Sequence, residues 1–351
     1  MHEEDHGLGW KHTDWRTSIP YSTRSRRLAL SFVCTIANYE YGFFFYFYLD
    51  GTIETEVKLT GILSTGHTHS LTYSLTHSLT HSLTHSLTHS GSLSYDEHKA
   101  GGRKYGINLG GHLYAPVHQH LFLCKMDFVI DGTDNRVVEY NVEADSKGPH
   151  NPSGNAFFYT EKLLDTELGT DCCPETARFW KIQSGSRRNK IGGRTGYKVL
   201  THSLTHSLTH SLTHSLTHRT GYKVVPSMKV GPFVKIEEAL HLKRAQFLEH
   251  QLWVTPFDKD QKYPAGTFVN QNPNLDGLPV WTKKYQRSIV DTDIVVWHMF
   301  GVTHLPRPED WPIMPVEYCG FHIKPTGFLE HSFVMDVPQS NVEANKSVCH
   351  C

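Results

Sequence analysis

The stretch GFFFYFYLDGTIETEVKLTGIL, residues 42–63, carries the clearest fold signal in the chain. An aromatic run at 42–49 leads into the turn dipeptide Asp50-Gly51, and apolar or β-branched residues then take every second position from Ile53 to Leu59. A period of two is typical of strands, whose successive side chains point to opposite faces of a sheet, and Asp-Gly is a frequent hairpin turn. The stretch therefore predicts a β-hairpin.

Further strand signals follow along the chain. Residues 118–130 and 136–143 flank another turn dipeptide, Asp131-Gly132, and predict a second hairpin. The sequence DIVVWHM at 293–299 predicts an additional apolar strand.

Helix signals are few, and the best of them is IEEALHLKRAQFLEH at 236–250. Segments rich in Pro, Gly and Asn at 255–280 and 304–316 predict long loops. Many strands with turn dipeptides and little helix indicate an all-β fold, specifically a large β-sandwich.

Composition limits the classes of partner. Lys and Arg total 34 and Asp and Glu total 35 in 351 residues, so the near-zero net charge argues against nucleic acid or an anionic membrane as the main partner. The start, MHEEDHGLGW, lacks the basic and apolar regions of a signal peptide, and the apolar run at 42–49 is too short to span a bilayer. We therefore expect a soluble chain, and the sequence indicates no localisation. Seven cysteines, an odd number without zinc-like spacing, argue against a disulfide framework.

Two histidine-rich Thr-His-Ser-Leu repeats occupy residues 67–90 and 201–218. Their abundant Ser and Thr and lack of an apolar face predict disordered low-complexity insertions. Tandem copies of the tetranucleotide ACTC encode this repeat in every reading frame, and RTGYKV flanks the second repeat at 194–199 and 219–224. We interpret both as translated DNA repeats. The alternative is a non-catalytic, histidine-rich metal-binding protein that uses these tracts.

Three histidines outside the repeats are candidate metal ligands. His118 and His120 lie two residues apart in a predicted strand, so both imidazoles face the same side, and His304 follows the predicted 293–299 strand. Two polar residues at a strand end and a surface-loop histidine are the simpler interpretations. An all-imidazole site suits copper or zinc, which leaves a zinc hydrolase with an open coordination position as an alternative function.

The stretch TIANYEY at 35–41, by itself an aromatic strand, completes an ordered set of motifs with the His118-x-His120 pair and His304 in GVTHLPRPEDWPIMPVEY. In this order the sequence resembles the copper-containing amine oxidases. Other stretches resemble the same family's catalytic domain: HEEDHGLGWKHTDWR (2–16), RKYGINL (103–109), GHLYAPVHQHLF (111–122), GNAFFYTE (154–161) and LWVTPFDKDQKYPAG (252–266). The resemblance covers nearly the whole chain outside the repeats.

The resemblance implies a copper ion held by His118, His120 and His304, with Met314 nearby. It implies that Tyr39 is converted to topaquinone, which forms a Schiff base with a primary amine. Release of an aldehyde, with molecular oxygen reoxidising the cofactor, gives ammonia and hydrogen peroxide. Asn38, beside the quinone, is expected to restrain its orientation. The family also implies a homodimer.

A peripheral calcium-type site is the second site that the resemblance implies. Asp127 and Asp293 match its carboxylates, and Phe128 and Ile294 match residues that supply carbonyl oxygens. Val129 stands at a position where the family has a further carboxylate.

The resemblance also implies that residues 1–351 form a partial catalytic domain, interrupted by the repeats. The segment that holds the family's aspartate base is expected to lie upstream of Met1, and neither Asp5 nor Asp14 lies in a motif that replaces it. Loss of a general base typically costs about 10²–10⁴-fold in rate. The activity of the chain by itself is accordingly expected to be low.

Overall fold

The computed structural model describes residues 1–67, 105–110, 113–200, 231–235, 238, 245–268 and 276–337. Both repeats beyond His67 lie outside the described residues, as does most of the segment for which the sequence predicts a helix at 236–250. The described end of that segment, Gln246–Glu249, is a short 3-10 helix.

The described residues form sixteen strands and one α-helix. In chain order the elements are β1 (His2–Thr13), β2 (Pro20–Ile36), β3 (Tyr39–Tyr48), β4 (Ile53–Ile62), β5 (Gly66–His67), β6 (Gly106–Gly110), β7 (Leu113–Pro116), β8 (His118–Phe128), β9 (Asn135–Ala144), β10 (Phe157–Leu164), β11 (Leu168–Thr170), β12 (Phe179–Arg188), β13 (Arg194–Leu200), β14 (Leu252–Pro256), α1 (Leu278–Tyr285), β15 (Ile294–His304) and β16 (Ile313–Thr326). None of the helices in the described ranges is long and apolar enough to cross a bilayer.

The strands build two main antiparallel sheets. The larger sheet has nine strands in the order β1-β2-β3-β4-β16-β13-β12-β9-β10, and the smaller has four in the order β11-β14-β15-β8. A third sheet, β5-β7-β6, is short. Alternate residues of β4 and β16, such as Val57, Leu59 and Phe321, share one buried cluster with Ile294 and Val296 of β15. The all-β sandwich expected from the sequence is therefore confirmed.

The hairpin predicted from residues 42–63 is present. Strands β3 and β4 pair from Tyr39↔Gly61 to Phe47↔Ile53, with the Asp50-Gly51 turn between them. Gly51 has φ +76°, a left-handed conformation that glycine adopts at little cost.

The second predicted hairpin is wrong, although both of its strands exist. Strand β8 pairs with β15 in the smaller sheet, whereas β9 pairs with β10 and β12 in the larger one. The chain between them crosses from one sheet to the other, and the Asn135 amide fixes the crossing by donating to the carbonyls of Phe128 (3.2 Å) and Gly132 (2.9 Å). Phe128 and Val137 both belong to the buried core that the two sheets share, and burial of apolar side chains there favours this arrangement.

The predicted strand at 293–299 is longer than expected, and both predicted loops contain regular structure. Strand β15 continues to His304 because it pairs with β8 residue by residue, from Ile294↔Phe128 to His304↔His118. Helix α1 begins inside the 255–280 segment, and a 3-10 helix at Pro308–Asp310 lies inside 304–316.

Gly61 fixes the turn from which β3 begins. The Ile62 amide donates to the Asn38 carbonyl at 2.8 Å, so β4 packs directly against the turn between β2 and β3. Gly61 has φ +118°, and a Cβ atom there would lie 2.4 Å from the Asn38 carbonyl oxygen and 2.9 Å from Cα of Tyr39. Only glycine allows this close approach, so Gly61 sets where Tyr39 enters the core.

We expect Gly61→Ala to destabilise the fold more than Gly110→Ala. Both glycines have positive φ, so each alanine incurs about 1–3 kcal/mol of backbone strain, but a Cβ at Gly110 meets open space. Overlap with the turn should add roughly 1–3 kcal/mol at Gly61 alone. Urea unfolding of both variants measures the difference, and equal losses would contradict the packing role of Gly61.

Candidate metal centre

Tyr39, His118, His120 and His304 meet inside the sandwich. His118 and His120 project from the start of β8, His304 ends β15 directly opposite His118, and Tyr39 begins β3 in the facing sheet. All four are buried, with 2–6% of their surface exposed. The ring centroid of His118 lies 4.8 Å from that of His120 and 4.9 Å from that of His304. The structure thus brings together the four residues singled out in the sequence, and we call the three imidazoles the histidine cluster.

The backbone fixes the tautomer of His118. Its Nδ1 lies 2.9 Å from the carbonyl oxygen of Pro116, which can only accept a hydrogen bond. The ring hydrogen of the neutral imidazole therefore lies on Nδ1, and the lone pair of Nε2 points into the histidine cluster. That lone pair faces the Tyr39 hydroxyl at 3.1 Å and Nδ1 of His304 at 3.4 Å.

A carboxylate fixes the tautomer of His304 in the same way. Its Nε2 lies 3.2 Å from Oδ2 of the buried Asp310, which also accepts from the backbone amide (2.8 Å) and guanidinium (2.7 Å) of Arg307. Burial opposes ionisation of Asp310, but the hydrogen bonds from His304 and Arg307 outweigh it and hold the pKa of that carboxyl well below its usual range. Asp310 stays ionised and accepts the Nε2 hydrogen, which leaves a lone pair on Nδ1 of His304.

Two lone pairs consequently face each other between His118 and His304. Two acceptors at 3.4 Å form no hydrogen bond when both rings are neutral, so this contact favours a cation between them. Nitrogen ligands that share one tetrahedral ion at about 2.0–2.1 Å lie roughly 3.3 Å apart, close to the observed spacing.

His120 supplies the third imidazole. Its Nδ1 lies 3.0 Å from the Tyr41 hydroxyl, whereas its buried Nε2 has no hydrogen-bond partner among the described residues. Burial, and then the neighbouring His118 and His304, lower the pKa of His120 to about 3. The ring is therefore neutral, as a metal ligand must be.

The donor set fits a copper ion. Each imidazole has one nitrogen held by a neighbour and the other turned into the histidine cluster or left unpaired, the usual arrangement around histidine-bound metals. In the part of the chain that the structure describes, no group of three or more His, Cys, Asp or Glu side chains is already arranged to hold a metal ion.

The Tyr39 hydroxyl is held from two sides. Because Nδ1 of His118 carries the ring hydrogen, the Tyr39 O–H donates to Nε2 of His118, and the backbone amide of Ser64 donates to the Tyr39 oxygen at 3.2 Å. The tyrosine ring also packs edge-on against His120, with centroids 5.0 Å apart. Tyr39 is thus positioned next to the donors of a prospective metal ion.

The remaining residues expected at the centre lie around it. Asn38 is exposed in the turn before β3, while Met314 is buried on β16. Met314 pairs with Gly61, which pairs in turn with Tyr39, so the three residues form a row across adjacent strands.

Sequence reasoning missed the partners Pro116, Ser64 and Asp310, and it interpreted Tyr41 only as part of an aromatic strand. Tyr41 is buried, but it also contacts His120. Its signal was the spacing: Tyr39 and Tyr41 are two residues apart in one strand, as are His118 and His120 in another.

The residues of the predicted peripheral site lie at the other end of the β8–β15 pair. Phe128 and Ile294 are paired, Asp127 precedes Phe128, and Asp293 precedes Ile294. Burial, and then the charge of Asp127, raise the pKa of Asp293. The side-chain oxygens that have no hydrogen-bond partner within the described ranges include Asp293 Oδ1, Thr292 Oγ1 and Asn135 Oδ1. The side chain of Val129 is 68% exposed and offers no oxygen ligand.

Comparisons with known proteins point to one family. Residues 1–214 and 208–344 match the family described as copper amine oxidase, enzyme domain. A peroxisomal copper-containing diamine oxidase of Nicotiana tabacum is 42% identical over 345 residues, which cover 96% of this chain and 37% of that protein. A primary amine oxidase of Arthrobacter sp. (strain P1) is 36% identical over 343 residues, covering 97% of this chain and 44% of that protein.

A solved structure shows the same architecture. The copper-containing benzylamine oxidase from Hansenula polymorpha superposes with a TM-score of 0.75 at 29% sequence identity, over 97% of this chain and 45% of that one. The chain thus spans 37–45% of the length of the proteins to which it is similar.

Proposed function

Because the chain belongs to the copper amine oxidase family, we propose that it carries the centre for copper- and topaquinone-dependent oxidative deamination of primary amines. Molecular oxygen is the second substrate, and an aldehyde, ammonia and hydrogen peroxide are the products. One observation carries the proposal: the buried Tyr39 hydroxyl contacts the central imidazole of a cluster of three.

In this proposal His118, His120 and His304 hold the copper ion, and Tyr39 is the precursor of topaquinone. When bound, the copper ion enables oxygen to oxidise the tyrosine ring, and the resulting quinone supplies an electrophilic carbonyl and an electron sink for amine oxidation.

The chain's own residues orient these groups. Pro116 and Asp310 keep the ring hydrogens of His118 and His304 on the nitrogens that face away from the cluster, so that the inner nitrogens stay available as ligands. In the metal-free protein the Tyr39 hydroxyl donates to His118 Nε2, the nitrogen that would bind copper. The Ser64 amide contacts the Tyr39 oxygen independently of that nitrogen and can stabilise negative charge on it. Burial of Tyr39 keeps water away from the reacting ring.

Asn38 has a proposed role in restraining the cofactor. It directly precedes Tyr39, and its carbonyl is tied to the Ile62 amide at 2.8 Å. The backbone next to the reacting ring is therefore fixed, and the Asn38 side chain would act on the ring from this fixed turn.

The two alternative functions receive less support. A zinc hydrolase would use the same three histidines, but the comparisons identify copper-containing oxidases instead. A protein that binds metal through the Thr-His-Ser-Leu repeats would depend on residues outside the described ranges, whereas the histidine cluster involves none of them.

Two further features belong to the proposal. Asp127 and Asp293, with the carbonyls of Phe128 and Ile294, would hold a calcium-type ion, for which oxygen is the preferred ligand. The unpaired oxygens of Asn135 and Thr292 add donors of the same kind at that end of β15 and could compensate for Val129. We also propose that the protein is a homodimer, which a monomeric mass in sedimentation equilibrium would contradict.

We expect Tyr39→Phe to abolish quinone formation. Protein incubated with copper(II) and air should give a positive redox-cycling quinone stain, and removal of the reacting hydroxyl should eliminate it. Tyr46→Phe is the matched control, because Tyr46 lies on the same strand with its hydroxyl bonded to Glu56 (2.9 Å) on the other face. A stain that persists in Tyr39→Phe would exclude Tyr39 as the precursor.

We expect His304→Ala to lose copper while His298→Ala retains it. Both histidines are buried on the same face of β15, six positions apart, but only His304 belongs to the histidine cluster. Elemental analysis after dialysis should give about one copper per wild-type chain and roughly a tenth or less in His304→Ala, because two imidazoles are too few for a stable site. Equal copper in the two variants would argue for a different set of ligands.

We expect calcium to stabilise the wild-type protein and to have little effect on Asp293→Asn. A ligand that binds only the folded state raises its stability by about 2.7 kcal/mol at 100 times its Kd, which appears as a higher Tm. The amide is nearly isosteric but removes the charge. Exposed Asp336→Asn serves as the control. The same calcium-dependent shift in Asp293→Asn would rule out this site.

A further inference from the structure

The three imidazoles of the histidine cluster differ in the hydrogen-bond partner of the ring nitrogen that faces away from the cluster. The Pro116 carbonyl and the Asp310 carboxylate can only accept, so they fix the tautomers of His118 and His304. His120 instead meets the Tyr41 hydroxyl at 3.0 Å, a group that can donate or accept. The tautomer of His120 therefore depends on which way that hydroxyl points.

The favoured orientation of the Tyr41 O–H differs between the metal-free and the metal-bound protein. Within the described residues, His120 is the hydrogen-bond partner of the Tyr41 hydroxyl, so in the metal-free protein the O–H donates to Nδ1 and the ring hydrogen lies on Nε2. A bound ion needs the Nε2 lone pair, so the ring hydrogen must move to Nδ1 and donate to the Tyr41 oxygen. One hydrogen changes nitrogen and the phenol O–H rotates away, with no net gain or loss of protons or electrons.

We propose that Tyr41 is a positioning residue for the copper ion: its hydroxyl changes from donor to acceptor on metal binding and so holds His120 in the tautomer that presents Nε2. The identity of the metal rests on the proposed function, whereas the hydrogen-bond geometry does not. The role is separate from that of Tyr39, which contacts His118.

The packing around Tyr41 supports a hydroxyl that rotates on a fixed ring. Tyr41 is 7% exposed, and its ring makes edge contacts with His120 and with Phe122, each at a centroid distance of 5.8 Å. Phe122 follows His120 by two positions on the same face of β8, so one strand supplies both contacts. The phenol oxygen is thus held in place, and only its hydrogen is free to reorient.

Tyr41→Phe tests this role by removing the hydroxyl and keeping the ring. Copper(II) is loaded without oxygen so that Tyr39 stays a tyrosine, and affinity is measured by competition with a chelator. We expect 10–100-fold weaker binding, the usual effect of losing a partner of a ligating histidine, together with altered copper hyperfine splitting in the EPR spectrum. Tyr46→Phe should leave both unchanged, because the Tyr46 hydroxyl contacts Glu56 rather than a member of the histidine cluster.

A measurement on the wild-type protein avoids dependence on how the variant folds. With ¹⁵N-labelled histidine, long-range ¹H–¹⁵N correlations report which ring nitrogen carries the hydrogen. We expect Nε2–H at His120 without metal and Nδ1–H with copper(I), which is diamagnetic. The same tautomer in both states, or unchanged copper affinity in Tyr41→Phe, would overturn the proposal.

These outcomes separate this inference from the proposed function. If wild-type protein forms the quinone but Tyr41→Phe binds copper normally, only the positioning role of Tyr41 fails. If Tyr41→Phe weakens copper binding but wild-type protein forms no quinone in air, the positioning role stands and the oxidase function fails.

Discussion

The side-chain match between β3 and β8 is the constraint on which the centre depends. Tyr39 meets His118, Tyr41 meets His120, and Phe43 meets Phe122, so three successive inward positions of one sheet face three of the other. A slip of one residue in either strand would turn every one of these side chains to the opposite face. The register of the two sheets therefore sets the geometry of the centre, and the aromatic packing that stabilises the core also positions the chemistry.

Strand β8 is in turn fixed by its pairing with β15. Eleven consecutive pairs, ending in His304↔His118, make the third imidazole an extension of the same ladder. The third ligand is positioned by the backbone hydrogen bonds of this strand pair rather than by a loop. Backbone contacts also position Tyr39, because Gly61 brings the turn before Tyr39 into direct backbone contact with β4.

The parts of the fold that depend on local pattern could be predicted from the sequence, and those that depend on the choice of partner could not. Alternation and an Asp-Gly turn were enough for the β3–β4 hairpin. The same signals around Asp131-Gly132 predicted a hairpin that does not form, because strand propensity does not determine which sheet a strand joins. Strands β8 and β9 pair in different sheets and pack on opposite sides of the shared core. The histidines were visible through their spacing and the family resemblance. Pro116 and Ser64 act through backbone atoms, which leave no trace in the choice of side chain.

The centre as a whole conflicts with the usual rules for a stable core. The inner nitrogens of His118 and His304 face each other as two acceptors, and Nε2 of His120 has no hydrogen-bond partner among the described residues. Both arrangements cost free energy in a buried site. Such groups persist when the surrounding structure enforces them, and here two packed sheets and a buried Asp310 do so. A metal ion among the three nitrogens would remove both costs at once. The strain of the metal-free cluster is therefore the physical reason why binding an ion should stabilise this fold, and why that stabilisation should originate at the nitrogens rather than in the surrounding apolar packing.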